Sequence, residues 1–275
     1  MSDRDAVLRR HAVTVLEGED PRPVVFVHGF GCHQGVWRRV VGPLEGRRRI
    51  VLLDLVGAGG SDTSAYDPVR HASLDGYAQD LVEVLDACAP RGATLVGHSV
   101  GGTIALLAAA RRPELFESLL LVAPSPCYAN DGDYVGGFER EDLEDLLDAM
   151  DANYRMWARS LAPVIMSNPA RRDLSDELAE NFCEYDETIA RSFARATFLS
   201  DHRHVLPEVR VPTVVFQCTH DAVAPGTVGA FLHARLPRSE LVQLQATGHC
   251  PHVSGAPELV AHLERRLGLT ATAHS

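Results

Sequence analysis

A serine becomes a nucleophile when a base can take its proton and a rigid turn holds its hydroxyl clear of the backbone. Gly97-His98-Ser99-Val100-Gly101 offers such a turn. It follows a short apolar run, Thr94–Val96, and opens a stretch of helical periodicity through Ile104, Leu106, Leu107 and Ala110. A G-x-S-x-G segment between strand and helix is the pattern of a strained elbow, in which glycines remove Cβ atoms where the chain turns tightly. The serine Oγ then projects above the sheet. The N–H of Val100, at the start of the helix, faces any negative charge developing on an attacked carbonyl. A second donor is expected from His28-Gly29-Phe30-Gly31, which closes the run Val24–Val27, and the backbone N–H of Phe30 is assigned to it.

A base and an acid must follow in the order serine, acid, histidine. His249, after Gly248, is the expected base, and Asp221, in Thr219-His220-Asp221, the expected acid. Both follow apolar runs, as catalytic groups of open α/β sheets do. His220 and His252 lie nearby and read as a surface and a loop histidine. Cys218, His220, His249, Cys250 and His252 are dense enough to suggest zinc, but His249 is better used as the base, so neither a metal nor an organic cofactor is expected. Asp54-x-x-Gly57-x-Gly59-x-Ser61-Asp62 lacks the spacing and the lysine of a phosphate loop and reads as a structural turn.

These residues need a scaffold. Val24–Val27, Ile50–Leu53, Thr94–Val96, Leu119–Val122, Thr213–Phe216 and Leu241–Leu244 read as strands, most of them apolar on successive residues. Strands of that kind belong to a parallel sheet covered on both faces. Val13–Leu16 reads as an antiparallel edge. Helical periodicity marks about Leu74–Cys88, the stretch after Ser99 up to Pro113, and Pro257–Leu267. The alternation predicts a doubly wound, mostly parallel α/β sheet. Between about 125 and 206 it stops. Amphipathic helices are expected there over Glu139–Arg159 with a break near Ala162-Pro163, over Ser175–Phe182, and over Asp186–Leu199 with Asp186 as N-cap. That insert reads as a lid on a single domain spanning 1–275, and Thr270–Ser275 are expected to fray.

Of the 275 residues, 45% are hydrophobic, enough for one large core. The formal charge of −11 argues against nucleic acid or an anionic membrane as partner. The six cysteines follow no regular spacing and read as reduced thiols. With no apolar run of membrane-spanning length and no apolar core in the charged N-terminal residues, a soluble, cytoplasmic protein is expected.

His28–Trp37, Tyr66–Asp80, Gly97–Gly101, Ser125–Asn130, Gly136–Glu139, Ser200–Arg203 and Gly248–His252 together resemble one subgroup of the α/β-hydrolase superfamily. It comprises the bacterial RsbQ-like hydrolases and the related plant karrikin and strigolactone receptors. The likeness runs from about Ala12 to Leu267, with the bacterial branch fitting better at Ser125–Asn130 and Gly248–His252. It implies a lid of four helices over a small apolar pocket lined by Phe30, Tyr128, Phe138, Leu146, Trp157 and Phe198. His33 and Leu161 depart from the subgroup's pattern, so the plant ligands do not transfer.

Two functions follow from this reading. One is a serine esterase or lactonase acting on a small apolar carbonyl compound. The other is a ligand-sensing signalling protein, which by the resemblance would activate a partner phosphatase in a stress-response pathway. A haloalkane dehalogenase would need a carboxylate where Ser99 stands.

Overall fold

The chain is described by a computed structural model over residues 3–269; the expected fraying of Thr270–Ser275 falls outside the described residues. Its elements run α1 (Asp3–Arg10), β1 (Thr14–Leu16), β2 (Gly18–Val27), α2 (Arg38–Val41), β3 (Gly46–Leu52), α3 (Leu74–Cys88), β4 (Ala93–His98), α4 (Val100–Arg111) and β5 (Phe116–Val122). Then come α5 (Arg140–Ala152), α6 (Tyr154–Met166), α7 (Arg172–Cys183), α8 (Glu187–Phe198), β6 (Thr213–Thr219), α9 (Gly226–Arg235), β7 (Ser239–Thr247), α10 (Pro251–Ser254) and α11 (Ala256–Leu267).

The strands form one seven-stranded sheet in the order β1-β3-β2-β4-β5-β6-β7. Only β1 is antiparallel, pairing with β3, as the edge reading expected. Every residue of β4 is buried, which requires helices on both faces. The first ten residues of α4 are buried too, so this helix is apolar all round and runs through the core. No helix among the described residues is long and apolar enough to cross a membrane.

The strand order has one consequence for chemistry. β2 has β3 on one side and β4 on the other, so the chain leaves these neighbouring strands in opposite directions and opens a crevice at their carboxyl ends. Val27 pairs with Gly97 at that point, which sets the Phe30 loop beside Ser99. The turn after β3 closes the rim: Asp54 accepts hydrogen bonds from the N–H groups of Gln34 at 2.7 Å and Gly60 at 2.9 Å. This carboxylate ties two loops together, in keeping with a structural turn.

Between β5 and β6 lie the four helices α5–α8 and three isolated β-bridges, among them Cys127 with Asp201. The expected break near Ala162-Pro163 is absent. α6 runs through Pro163 to Met166, and the chain breaks instead at Asn153, which is extended and accepts from the N–H of Met156 at 3.0 Å. A proline costs the helix one backbone bond and keeps a helical φ, whereas a capping asparagine competes for the backbone itself. Asp186 caps α8 as expected, accepting from the N–H groups of Thr188 and Ile189.

Candidate active site

Ser99 sits between β4 and α4 with φ 53° and ψ −125°, a conformation that L-residues rarely adopt. Packing around it holds the turn. A Cβ at Gly97 would lie 2.9 Å from the backbone of Gly101 and Gly102, and one at Gly101 would run into the carbonyl of His28. The two glycines let three backbone segments meet, and the N–H of Ser99 donates to the Val122 carbonyl at 2.9 Å. Strain of this kind persists only where the surroundings over-determine it.

Two loops complete the group. His249 Nε2 lies 2.8 Å from Ser99 Oγ. Its Nδ1 lies 2.9 Å and 3.1 Å from the two carboxylate oxygens of Asp221. An ionised carboxylate only accepts, so Nδ1 carries the proton and the Nε2 lone pair faces the serine hydroxyl. Asp221 is itself fixed: its Oδ1 accepts from the N–H groups of Val223 at 2.8 Å and Ala224 at 3.0 Å. All three side chains are buried, which strengthens each contact by excluding water.

The backbone of His249 is held from two sides. Its carbonyl accepts from His98 Nε2–H at 2.8 Å, and its N–H donates to the Ile165 carbonyl, in the last turn of α6, at 2.9 Å. Gly248, at φ 79°, lets α6 come this close, because a Cβ there would run into the Met166 carbonyl. The helical insert therefore touches the histidine loop directly.

Val100 is the first residue of α4, so its N–H has no acceptor within the helix. The Phe30 loop lies across the crevice. Gly31 turns there at φ 69° with the Phe182 ring against it, in space a Cβ would occupy.

A cavity of about 30 Å³ opens onto Ser99 and His249. Phe30, Phe182, Phe198, Ile165, Leu178 and Val223 give it apolar walls, and His98, Cys32 and Cys250 add weakly polar ones. Burial pushes the Cys32 thiol up to about 12 and Cys250 well above the usual thiol range. Tyr128 points its hydroxyl at Ser99 Oγ from 3.3 Å, and burial pushes its phenol up to about 12. Among the cavity walls no group carries a fixed positive charge.

Of the residues expected to form the pocket, Phe30 and Phe198 are in the walls and Tyr128 reaches the serine. Trp157 stands one layer behind, edge-on to Phe30 and to Phe182 at 5.6 Å. Phe138 and Leu146 are half-buried and pack against the core away from the walls. α7 takes the nearer place: its Leu178 and Phe182 line the cavity where the resemblance implied residues of the earlier helices. Both lie on the apolar face of the expected Ser175–Phe182 helix, the one sequence signal that pointed to them. Ile165 carried none, and Cys32 and Cys250 entered only within the motifs of the family resemblance and, for Cys250, the cysteine–histidine cluster.

Comparison with known proteins adds three findings. The model of the Alpha/beta hydrolase family matches residues 24–263. A probable esterase of Oryza sativa subsp. japonica is 37% identical, with 92% of this chain and 95% of the relative covered, and the Karrikin insensitive 2 receptor CA of Petunia hybrida is 35% identical, with 94% and 97% covered. The solved structure of olei00960, a hydrolase from Oleispira antarctica, superposes with a TM-score of 0.94 at 36% identity, over 97% of this chain and 98% of that one.

Proposed function

Since the chain belongs to the alpha/beta hydrolase family, we propose that it cleaves a small uncharged ester or lactone, with Ser99 as nucleophile, His249 as base and Asp221 as the acid that orients it. Hydrolase activity follows from the family and its esterase relative. The observation that carries the residue roles is the continuous relay from Asp221 through His249 to Ser99, at 2.9 and 2.8 Å.

In this reading Ser99 Oγ attacks the carbonyl carbon while His249 Nε2 takes the hydroxyl proton. Asp221 stabilises the imidazolium, and the N–H groups of Val100 and Phe30 receive the negative oxygen. His249 returns the proton to the leaving alkoxide, leaving an acyl-enzyme. Water, deprotonated by His249, then releases the acid. Tyr128 stays a neutral phenol and donates toward the reacting oxygens. The substrate is uncharged because the walls hold no cation for a carboxylate and no carboxylate for an amine. It is small, or the insert moves: 30 Å³ is far below the about 300–1,000 Å³ of ordinary ligand sites. We take α5–α8 to be the lid of the single domain expected from the sequence, with Leu178 and Phe182 as its contact with substrate. Six free cysteines support a cytoplasmic setting.

The test is turnover of a short-chain aryl ester by wild type and Ser99→Ala. Hydrolysis by the first and none by the second supports the assignment; equal rates remove Ser99 from it.

One observation favours a second role. α6 bonds to the backbone of His249, so a ligand that shifts the insert also disturbs the histidine. A relative bearing a receptor name fits a sensor built on the same site. A partner phosphatase has support only from the sequence resemblance. Hydrogen exchange over residues 140–198 with and without a lactone, in Ser99→Ala, tests the sensor role: unchanged protection on binding ends it.

A further inference from the structure

Hydrolysis uses His249 and leaves its neighbours Cys250 and His252 idle, yet these two meet His98 in the interior. One ligand atom from each of the three lies within 4.8 Å of the other two, and all three residues are buried. The His98 ring has a fixed tautomer. Its Nε2 must carry the proton, because it bonds to the carbonyl of His249, so Nδ1 is a bare lone pair, and nothing partners it. His252 is fully buried with neither ring nitrogen partnered. It lies between the Trp37 ring at 4.8 Å and the His98 ring at 4.2 Å. Buried polar atoms are ordinarily partnered, so a cluster of unpartnered ring nitrogens beside a thiol is a place where a ligand would be stabilised.

The site is built and reachable. A Cβ at Gly29 would sit 2.5 Å from His98 Nδ1, so this glycine lets the backbone pack close beside that nitrogen. His98 and Cys250 also form part of the wall of the Ser99 cavity, which supplies a route inward. Two imidazole nitrogens and one sulfur, with no oxygen, suit a thiophilic ion and not magnesium or calcium. The bond from His98 Nε2–H to a carbonyl is the outer support that ligating histidines use.

We propose that His98, Cys250 and His252 bind one thiophilic d¹⁰ cation, Cu(I) or Zn(II), beneath the hydrolytic centre. On binding, the metal–sulfur bond forms, the S–H bond of Cys250 breaks and its proton leaves to solvent, with no change of oxidation state. Bond lengths of about 2.0–2.3 Å put ligand atoms about 3.8 Å apart in a trigonal set, so the longest separation closes by about 1 Å. Beside a thiolate, Zn(II) leaves one net positive charge and Cu(I) leaves none.

Binding does not depend on the hydrolytic reading and is measured separately. The full chain carrying Cys183→Ser, which removes the one cysteine that is not buried, is equilibrated with Co(II) as a spectroscopic stand-in for zinc. One equivalent with a sulfur-to-cobalt charge-transfer band is expected. Cys250→Ser should remove the band, and His252→Gln should weaken binding at least tenfold. No band in the folded parent, or a band that survives Cys250→Ser, overturns the proposal. Should Cys250→Ser not fold, unchanged affinity in His252→Gln overturns it instead. Titrating the parent with Zn(II) and with Cu(I) then identifies the preferred ion.

Discussion

The elbow around Ser99 and the helices over it are built on different principles. At the elbow, backbone meets backbone: glycines bring β4, α4 and the His28 carbonyl together, and β4 has no exposed residue. The insert is held mainly by side chains. An aromatic group of Phe30, Trp157, Phe182, Tyr185, Phe193 and Phe198 joins it to the crevice. At its rim, Glu177 on α7 pairs with Arg38 and Arg39 on α2 at 2.7 Å, and Asp151 pairs with Arg191 and Arg195. Direct backbone bonds from insert to scaffold are sparse, such as Asp186 N–H to the Gly57 carbonyl and His249 N–H to the Ile165 carbonyl. This construction makes the elbow the stiffer of the two regions and the walls the more adjustable. Main-chain contacts have two dihedrals per residue to adjust, whereas ring contacts slide and rotate at modest cost.

If the contrast holds, damage to the elbow and its relay removes chemistry without unfolding. Ser99→Ala is expected to lower turnover by about 10⁶-fold with an unchanged melting temperature, because only a hydroxyl is lost. Asp221→Asn comes next, at about 10⁴-fold, through the wrong tautomer of His249; wild-type kcat in that variant would name another acid. Phe182→Ala acts on the insert and should cost about 3–5 kcal/mol in urea denaturation while broadening the range of acyl chains accepted. Trp157→Ala, one layer back, should broaden it less. The reverse ranking would mean that α6, not α7, governs the walls.

The smaller effects are electrostatic. Burial lowers the pKa of His98 and takes that of His252 down to about 3, so both are neutral when folded and charged when unfolded in mild acid. The unfolded chain then binds more protons, and stability falls as pH drops through 6.5, by up to about 1.4 kcal/mol per pH unit for each such histidine. Urea midpoints between pH 6.5 and 4.5 check this, and His252→Gln should flatten the slope. Glu177→Gln is expected to cost about 1 kcal/mol or less, since its arginine partners are substantially exposed, and the cost should shrink further in high salt.

Much of the rigid half was legible in advance. Strands buried on both faces read as unbroken apolar runs, and all six expected parallel strands are present with the antiparallel edge. Ser99, Asp221 and His249 could be nominated from the sequence because each follows such a run, where topology concentrates reactive loops, and the structure brings the three within hydrogen-bonding distance. The insert was harder. Its helices showed in their periodicity, but the break moved from Pro163 to Asn153, and the walls came from Ile165, Leu178 and Phe182 in place of Phe138, Leu146 and Trp157. A helical pattern says which face is apolar and leaves open which neighbour that face meets.

The sequence by itself determined the α/β class and the elbow and nominated Asp221 and His249 as its partners, because these depend on residue type, local spacing and strand order. Only the tertiary structure decided the size of the cavity, the second-layer place of Trp157, the bond between α6 and His249, and the meeting of His98 with Cys250 and His252 from opposite halves of the chain. Those are packing outcomes. Close-packed side chains compete for one volume, and the winner depends on every shape around it.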